Sequence, residues 1–166
     1  QGLATGDNKS YLFQDPNVRG SYRSIEPYKK FLLTDRDLQK ITENETLRKK
    51  VIEQGFHKSK NEENFDEDLW FEGRYIVPYD KGGESDTETG WLPNYYVPTN
   101  YYIDWSTWAI KRMKTLTIKE RDGRGKDIRA AVIRNREYYF EEGITFSFRG
   151  YYSPTFRLNS KGVFDC

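Results

Sequence analysis

Thr34-Asp35-Arg36-Asp37-Leu38-Gln39-Lys40-Ile41-Thr42-Glu43-Asn44-Glu45-Thr46-Leu47-Arg48-Lys49-Lys50-Val51-Ile52-Glu53-Gln54-Gly55 reads as helix within a chain whose other apolar segments are short and aromatic. Thr34 stands where a side-chain oxygen caps a short helix running through Leu38 and Ile41. Thr42, with Glu45 three residues on, predicts a capping box for a second helix. Leu47, Val51 and Ile52 fall on one face of that second helix. Gly55 ends it at a position suited to a left-handed backbone.

The flanking segments read differently. At the start, Gly2-Leu3-Ala4-Thr5-Gly6-Asp7-Asn8 is a turn, and Tyr11-Leu12-Phe13 a short strand closed by Pro16 and Asn17. His57 to Asp68 is polar and predicts an exposed surface loop carrying the only histidine. Trp70 to Pro78 reads as strand, Lys81-Gly82-Gly83 as a sharp turn, and Tyr95 to Trp105 as extended chain. Asp104 or Ser106 then caps a helix whose Trp105, Trp108, Ala109, Arg112, Met113 and Leu116 form an amphipathic stripe. Ile144-Thr145-Phe146-Ser147-Phe148 alternates as a strand does, and Thr155–Leu158 with Val163–Phe164 predicts a hairpin around Asn159 to Gly162. Helices and strands in this order give an α+β fold with a mixed or antiparallel, sheet-rich core. We read 1–166 as one domain with a helical insert at about 34–56. Gln1 is no initiator methionine, so the chain reads as a fragment of a larger one.

Aromatic residues make up 16% of the chain, which predicts a core built largely on rings. The net charge of +1 gives no global attraction for a polyanion. It conceals an asymmetry, because residues 61–90 carry ten acids against two bases and residues 111–136 carry ten bases against three acids. The single cysteine, Cys166, excludes an internal disulfide and a cysteine zinc site, and fits a reducing cytoplasm. No apolar run approaches the length that spans a membrane, and no signal peptide is visible. Asn8-Lys9-Ser10 and Asn44-Glu45-Thr46 match the glycosylation pattern by chance in such a chain.

A search for catalytic patterns comes back empty. No glutamate is followed two residues later by lysine, so a nuclease core of the D…E-x-K kind is missing. Asn94-Tyr95-Tyr96-Val97 lacks the prolines of an amino-methyltransferase tetrapeptide, and Gly123-Arg124-Gly125-Lys126 lacks the spacing of a phosphate-binding loop. The abundant Tyr and Trp with many acids leave a carbohydrate-binding or glycan-acting β-rich domain open, and a protein-interaction domain is a further alternative. Elimination favours a binding role.

Gly2 to Asn8 with Tyr11-Leu12, Pro78-Tyr79-Asp80-Lys81-Gly82-Gly83, and Arg134-Asn135-Arg136-Glu137-Tyr138-Tyr139-Phe140-Glu141-Glu142-Gly143-Ile144-Thr145-Phe146-Ser147 together resemble a known region. It is the TaqI-like target recognition domain that follows the catalytic half of adenine-specific DNA methyltransferases. The closest types are the PglX enzymes of BREX phage defence and the fused type IIG/IIS restriction–modification enzymes. After Gly83 the family tends to carry an Arg/Lys-Trp-Tyr run, whereas this chain has Glu84-Ser85-Asp86. The resemblance implies a non-catalytic fragment that positions double-stranded DNA for a methyltransferase domain of the same parent chain. S-adenosylmethionine would belong to that parent domain, and this fragment would hold no cofactor or metal. On the separate reading of a protein-interaction domain, a phage-encoded inhibitor that mimics DNA would be a partner.

The candidate DNA contacts follow from these strings. Thr5, Asp7 and Asn8 lie in the opening junction. Lys81 stands beside Gly82 and Gly83, whose bare backbone admits a phosphate. Arg112, Arg124, Lys126, Arg134 and Asn135 belong to the basic flank, and Arg149 follows a strand. Arginine, lysine and asparagine are the residues that neutralise phosphates and read base edges.

Overall fold

Three apolar residues in a row, Leu12, Ile103 and Val77, are fully buried at adjacent register positions and define the centre of the fold. Each such burial stabilises by roughly 1.5–3 kcal/mol. A computed structural model describes residues 2–18, 20–81, 100–115, 131–146 and 156–165. Among them the strands are β1 (Leu3–Ala4), β2 (Leu12–Gln14), β3 (Arg23–Ser24), β4 (Ile76–Asp80), β5 (Tyr101–Asp104), β6 (Val132–Ile133), β7 (Glu142–Phe146), β8 (Phe156–Ser160) and β9 (Val163–Phe164). The helices are α1 (Asn8–Tyr11), α2 (Asp35–Glu43), α3 (Glu45–Gln54) and α4 (Thr107–Thr115).

The main sheet runs β3-β2-β5-β4-β9. Its inner pairs β2–β5 and β5–β4 are antiparallel, and its outer pairs β2–β3 and β4–β9 are parallel. β1 pairs with β6, and β7 with β8, as separate two-stranded sheets. The class is α+β, with mixed sheets.

Thr34 caps α2 as its sequence predicts. Its hydroxyl accepts from the Asp37 amide at 3.2 Å, and the Asp37 carboxylate accepts from the Thr34 amide at 2.8 Å. The cap of α3 is Asn44, not Thr42, because Asn44 Oδ1 accepts from the Leu47 amide at 3.0 Å. Thr42 lies inside α2, where its hydroxyl donates toward the Leu38 carbonyl at 2.9 Å and the Phe140 carbonyl at 2.8 Å. Gly55 does take a positive φ of 78°, but its ψ of −168° carries the chain out extended rather than left-handed helical.

Three other expectations change. Trp70 to Gly73 forms turns, and the strand begins at Ile76. The C-terminal hairpin does not form: β8 pairs with β7, and β9 docks parallel on β4. Tyr11 closes a helical turn instead of opening the strand, and its ring is buried.

The aromatic core is present. Trp105 is fully enclosed, with Tyr139 and Phe140 edge-on at 5.9 and 6.0 Å. Phe56 meets Phe140 at 6.2 Å and Phe71 at 5.3 Å, also edge-on. Edge-on rings contribute about 0.5–1.5 kcal/mol beyond their buried area. The Trp105 indole N–H donates to the Val51 carbonyl at 3.0 Å, tying α3 to the end of β5. No helix among the described residues is long and apolar enough to cross a membrane.

Candidate nucleic-acid interface

Ala109, Ile110 and Met113 are the buried residues of α4, so the helix turns Trp108 outward and leaves it 53% exposed. Ser106 caps the helix, its hydroxyl accepting from the Ala109 amide at 3.2 Å. Asp104 takes the preceding step, accepting from the Ser106 amide at 2.9 Å. One turn after Trp108, the Arg112 guanidinium lies 5.8 Å from the indole.

Lys58 approaches the same indole from the other side in sequence. Its ammonium stands 5.7 Å from the Trp108 ring and 4.2 Å from the Tyr75 ring, and pairs with the buried Asp104 carboxylate at 3.0 Å. Arg23 lies 4.3 Å from Phe13 and 5.8 Å from Tyr28. Arg23 also donates to the Ser10 carbonyl at 2.7 Å, which fixes its direction. Cations and rings thus gather in two groups, Arg23 with Phe13 and Tyr28, and Lys58 and Arg112 with Tyr75 and Trp108, with the Arg23 charge felt at the Tyr75 hydroxyl. Each cation–ring contact is worth about 0.5–1 kcal/mol when exposed and about 2 kcal/mol when desolvated.

Burial pushes the Tyr75 hydroxyl above its ordinary pKa, and the Asp104 charge adds to this while Arg23 opposes it. Tyr11 packs 6.3 Å from Trp108, and its hydroxyl is buried. Burial raises its pKa, and the Arg112 guanidinium acts on it electrostatically in the opposite sense.

The residues singled out in the sequence divide into three groups. Thr5, Asp7 and Asn8 are used inside their own turn. The buried Thr5 donates to Asn8 Oδ1, Ser10 donates to Asp7, and Asn8 Nδ2 donates to the Tyr22 hydroxyl at 3.2 Å. That places Asn8 near Lys81, whose ammonium lies 5.5 Å from Tyr22 and 5.1 Å from Tyr101. Arg134 and Asn135 sit at the other end of β1, with the Arg134 amide donating to the Gly2 carbonyl at 3.3 Å and Asn135 at a φ of 48°. Gly82, Gly83, Arg124, Lys126 and Arg149 lie outside the described residues.

Sequence reading passed over Arg23, Lys58, Tyr28 and Tyr75, and took Trp108 as a packing residue. Ile110 is the signal for Trp108. An apolar residue at that position rotates the buried stripe away from Trp108 by about half a turn at 100° per residue. Nothing local marks Lys58, whose ring neighbours come from residues distant in sequence.

His57 is not exposed. It is buried, its Nε2 accepts from the Asp66 amide at 3.0 Å, and Nδ1 faces Glu62 Oε2 at 3.0 Å. The ring is therefore the neutral tautomer with its proton on Nδ1. Glu62 also accepts from the Thr107 hydroxyl at 2.5 Å and from the amides of Lys58 and Ser59. One carboxylate thereby pins the loop carrying Lys58 to the first turn of α4.

Burial would raise the Glu62 pKa, but the His57 and Thr107 bonds and the two amides outweigh it and hold the carboxyl below its ordinary 4.5. Asp37 is likewise held below 3.8 against burial, by Arg74 and Thr34. A carboxyl depressed on folding contributes stability above its unfolded value, and that contribution is lost as pH falls through the folded value. Urea midpoints should accordingly drop from pH 5 toward pH 3, and Glu62→Gln should flatten that drop. An unchanged pH slope in the variant would show that Glu62 does not carry the acid sensitivity.

Among the described residues no group of three His, Cys, Asp or Glu side chains is placed to hold a metal ion. Asp104 and Glu62, the acids nearest Lys58, already accept from several donors. No protein-family model matches the chain, and no curated protein matches it.

Proposed function

We propose that this chain recognises double-stranded DNA for an N6-adenine methyltransferase domain in the same parent chain. The cations held against rings, Arg23 on Tyr28 and Lys58 and Arg112 about Tyr75 and Trp108, are the observation that carries the reading. Cations held against rings offer phosphate neutralisation with little loss of side-chain freedom on binding. The motif resemblance supplies the reaction class: a recognition domain positions the duplex, and the parent's catalytic domain supplies S-adenosylmethionine and methyl transfer. In this division of labour the chain is not itself an enzyme. Lys81 and Asn8 extend the contact surface near Tyr22, and an acidic DNA mimic from phage would compete for the same cations. Such a protein works in the cytoplasm, where its DNA is.

Fluorescence anisotropy with a labelled duplex tests this. Neutralising phosphates through Arg23, Lys58 and Arg112 should give a log-affinity against log-salt slope of about −3. Arg23→Gln should weaken binding evenly across sequences and reduce that slope by about 1. Binding absent at low salt, or insensitive to salt, rejects the proposal.

A further inference from the structure

The group about Lys58 and Arg112 contains one large ring that the core does not need. Trp108 is 53% exposed. Single exposed apolar residues are common on protein surfaces and by themselves signify little. Trp108 differs in its setting. Lys58 and Arg112 both stand over the indole, 5.7 and 5.8 Å from its centre, and the Tyr11 ring packs beside it at 6.3 Å, tilted by 47°. Lys58 is in turn anchored by Asp104 at 3.0 Å. The platform is therefore held in place before any ligand arrives.

A base inside a duplex has both faces covered by its neighbours and offers none to an indole. An unpaired base offers a full face, and the phosphates on either side of it carry the charge that Lys58 and Arg112 complement. Resting on the DNA reading above, we infer that Trp108 is a stacking platform for an unpaired base, with Lys58 and Arg112 taking its flanking phosphates. This adds a local selectivity to the duplex contact: the chain prefers DNA in which a base has left the stack. Stacking on an aromatic residue changes affinity on the order of 5- to 150-fold per base.

The test compares a perfect duplex with the same duplex carrying one bulged base, by anisotropy at fixed low salt. The native chain should bind the bulged duplex at least about 5-fold more tightly. Trp108→Ala should remove that preference while weakening perfect-duplex binding much less. Trp108→Phe, which keeps a ring, should retain part of the preference. The chain has four tryptophans, so the fluorescence difference between native protein and Trp108→Phe isolates the Trp108 signal, which the bulged base should quench. Equal loss of both affinities in Trp108→Ala would assign the residue a positioning role and overturn the inference. Salt-sensitive duplex binding without a bulge preference overturns the inference alone. Absence of any DNA binding removes it together with the reading on which it rests.

Discussion

Trp105→Ala lowers folding stability by about 3–5 kcal/mol, the loss typical of a fully enclosed tryptophan. Trp105 is 1% exposed, and its ring sits edge-on to Tyr139 and Phe140. Its indole N–H satisfies the Val51 carbonyl, and its backbone receives the Phe56 amide at 2.9 Å. Truncation therefore opens a cavity and removes one of two donors from the Val51 carbonyl, which keeps the Gly55 amide at 2.9 Å. For a chain of 166 residues this corresponds to a fall in melting temperature of roughly 10 °C. Trp105→Phe, which refills most of the volume but restores no donor, should lose about half as much. Urea unfolding measures both, and a loss below about 1 kcal/mol for the alanine variant would contradict this account of the core.

Gly55→Ala is the second large effect, and its cause is backbone rather than volume. With φ 78° and ψ −168°, residue 55 occupies a region essentially reserved for glycine, and leaving it there with a side chain costs about 1–3 kcal/mol. A Cβ would also stand 2.6 Å from the Trp105 carbonyl oxygen and 2.7 Å from the Ser106 carbonyl carbon. These are main-chain atoms that cannot turn aside, so α3 and the β5–α4 junction must separate. The combined loss should reach about 3 kcal/mol or more. Phe56, which follows, bridges to Ser106, and Lys58 lies two residues beyond. Duplex affinity should thus fall even in the fraction that remains folded. Gly143→Ala is the control: a Cβ there meets nothing within 4 Å, and stability should stay within about 0.5 kcal/mol of native. Similar losses at both glycines would refute the steric explanation.

Much of the local structure was legible. The Thr34 cap, the buried face of Leu47, Val51 and Ile52, the inward positions Ala109 and Met113 of α4 and the aromatic core all follow from short-range spacing, whereas Trp108, expected in the packing stripe of α4, is 53% exposed. The failures share a cause. Asn159 to Gly162 has the composition of a hairpin turn, yet β8 found β7 and β9 found β4. Pairing partners are chosen by burial across the whole fold, and turn chemistry constrains only the chain reversal. Gly162 shows the consequence, because a Cβ there would lie 2.3 Å from the Pro78 carbonyl oxygen. His57 was misread for the same reason. A polar loop with one histidine looks solvated until Glu62 and the Asp66 amide are known to enclose its ring.

The grouping of cations and rings is harder still. Opposite charges and rings are scattered through the sequence in excess, so their types alone select nothing. Thr5, Asp7 and Asn8 were conspicuous as a motif, yet they bond mainly to one another and to Ser10 and Tyr22. Lys58 was inconspicuous, yet it joins Asp104 of β5, Trp108 of α4 and Tyr75 just ahead of β4.

The sequence by itself determined the α+β class, the helical segment from Thr34 to Gly55, and the aromatic character of the core, because these depend on periodicities and caps within a few residues. Only the tertiary structure decided which strands pair, that His57 is enclosed, that Lys58 and Arg112 gather about Trp108 and Tyr75, and that Arg23 lies against Phe13 and Tyr28. Those facts depend largely on contacts between residues tens of positions apart, which form only when burial of the common core selects one arrangement of the elements.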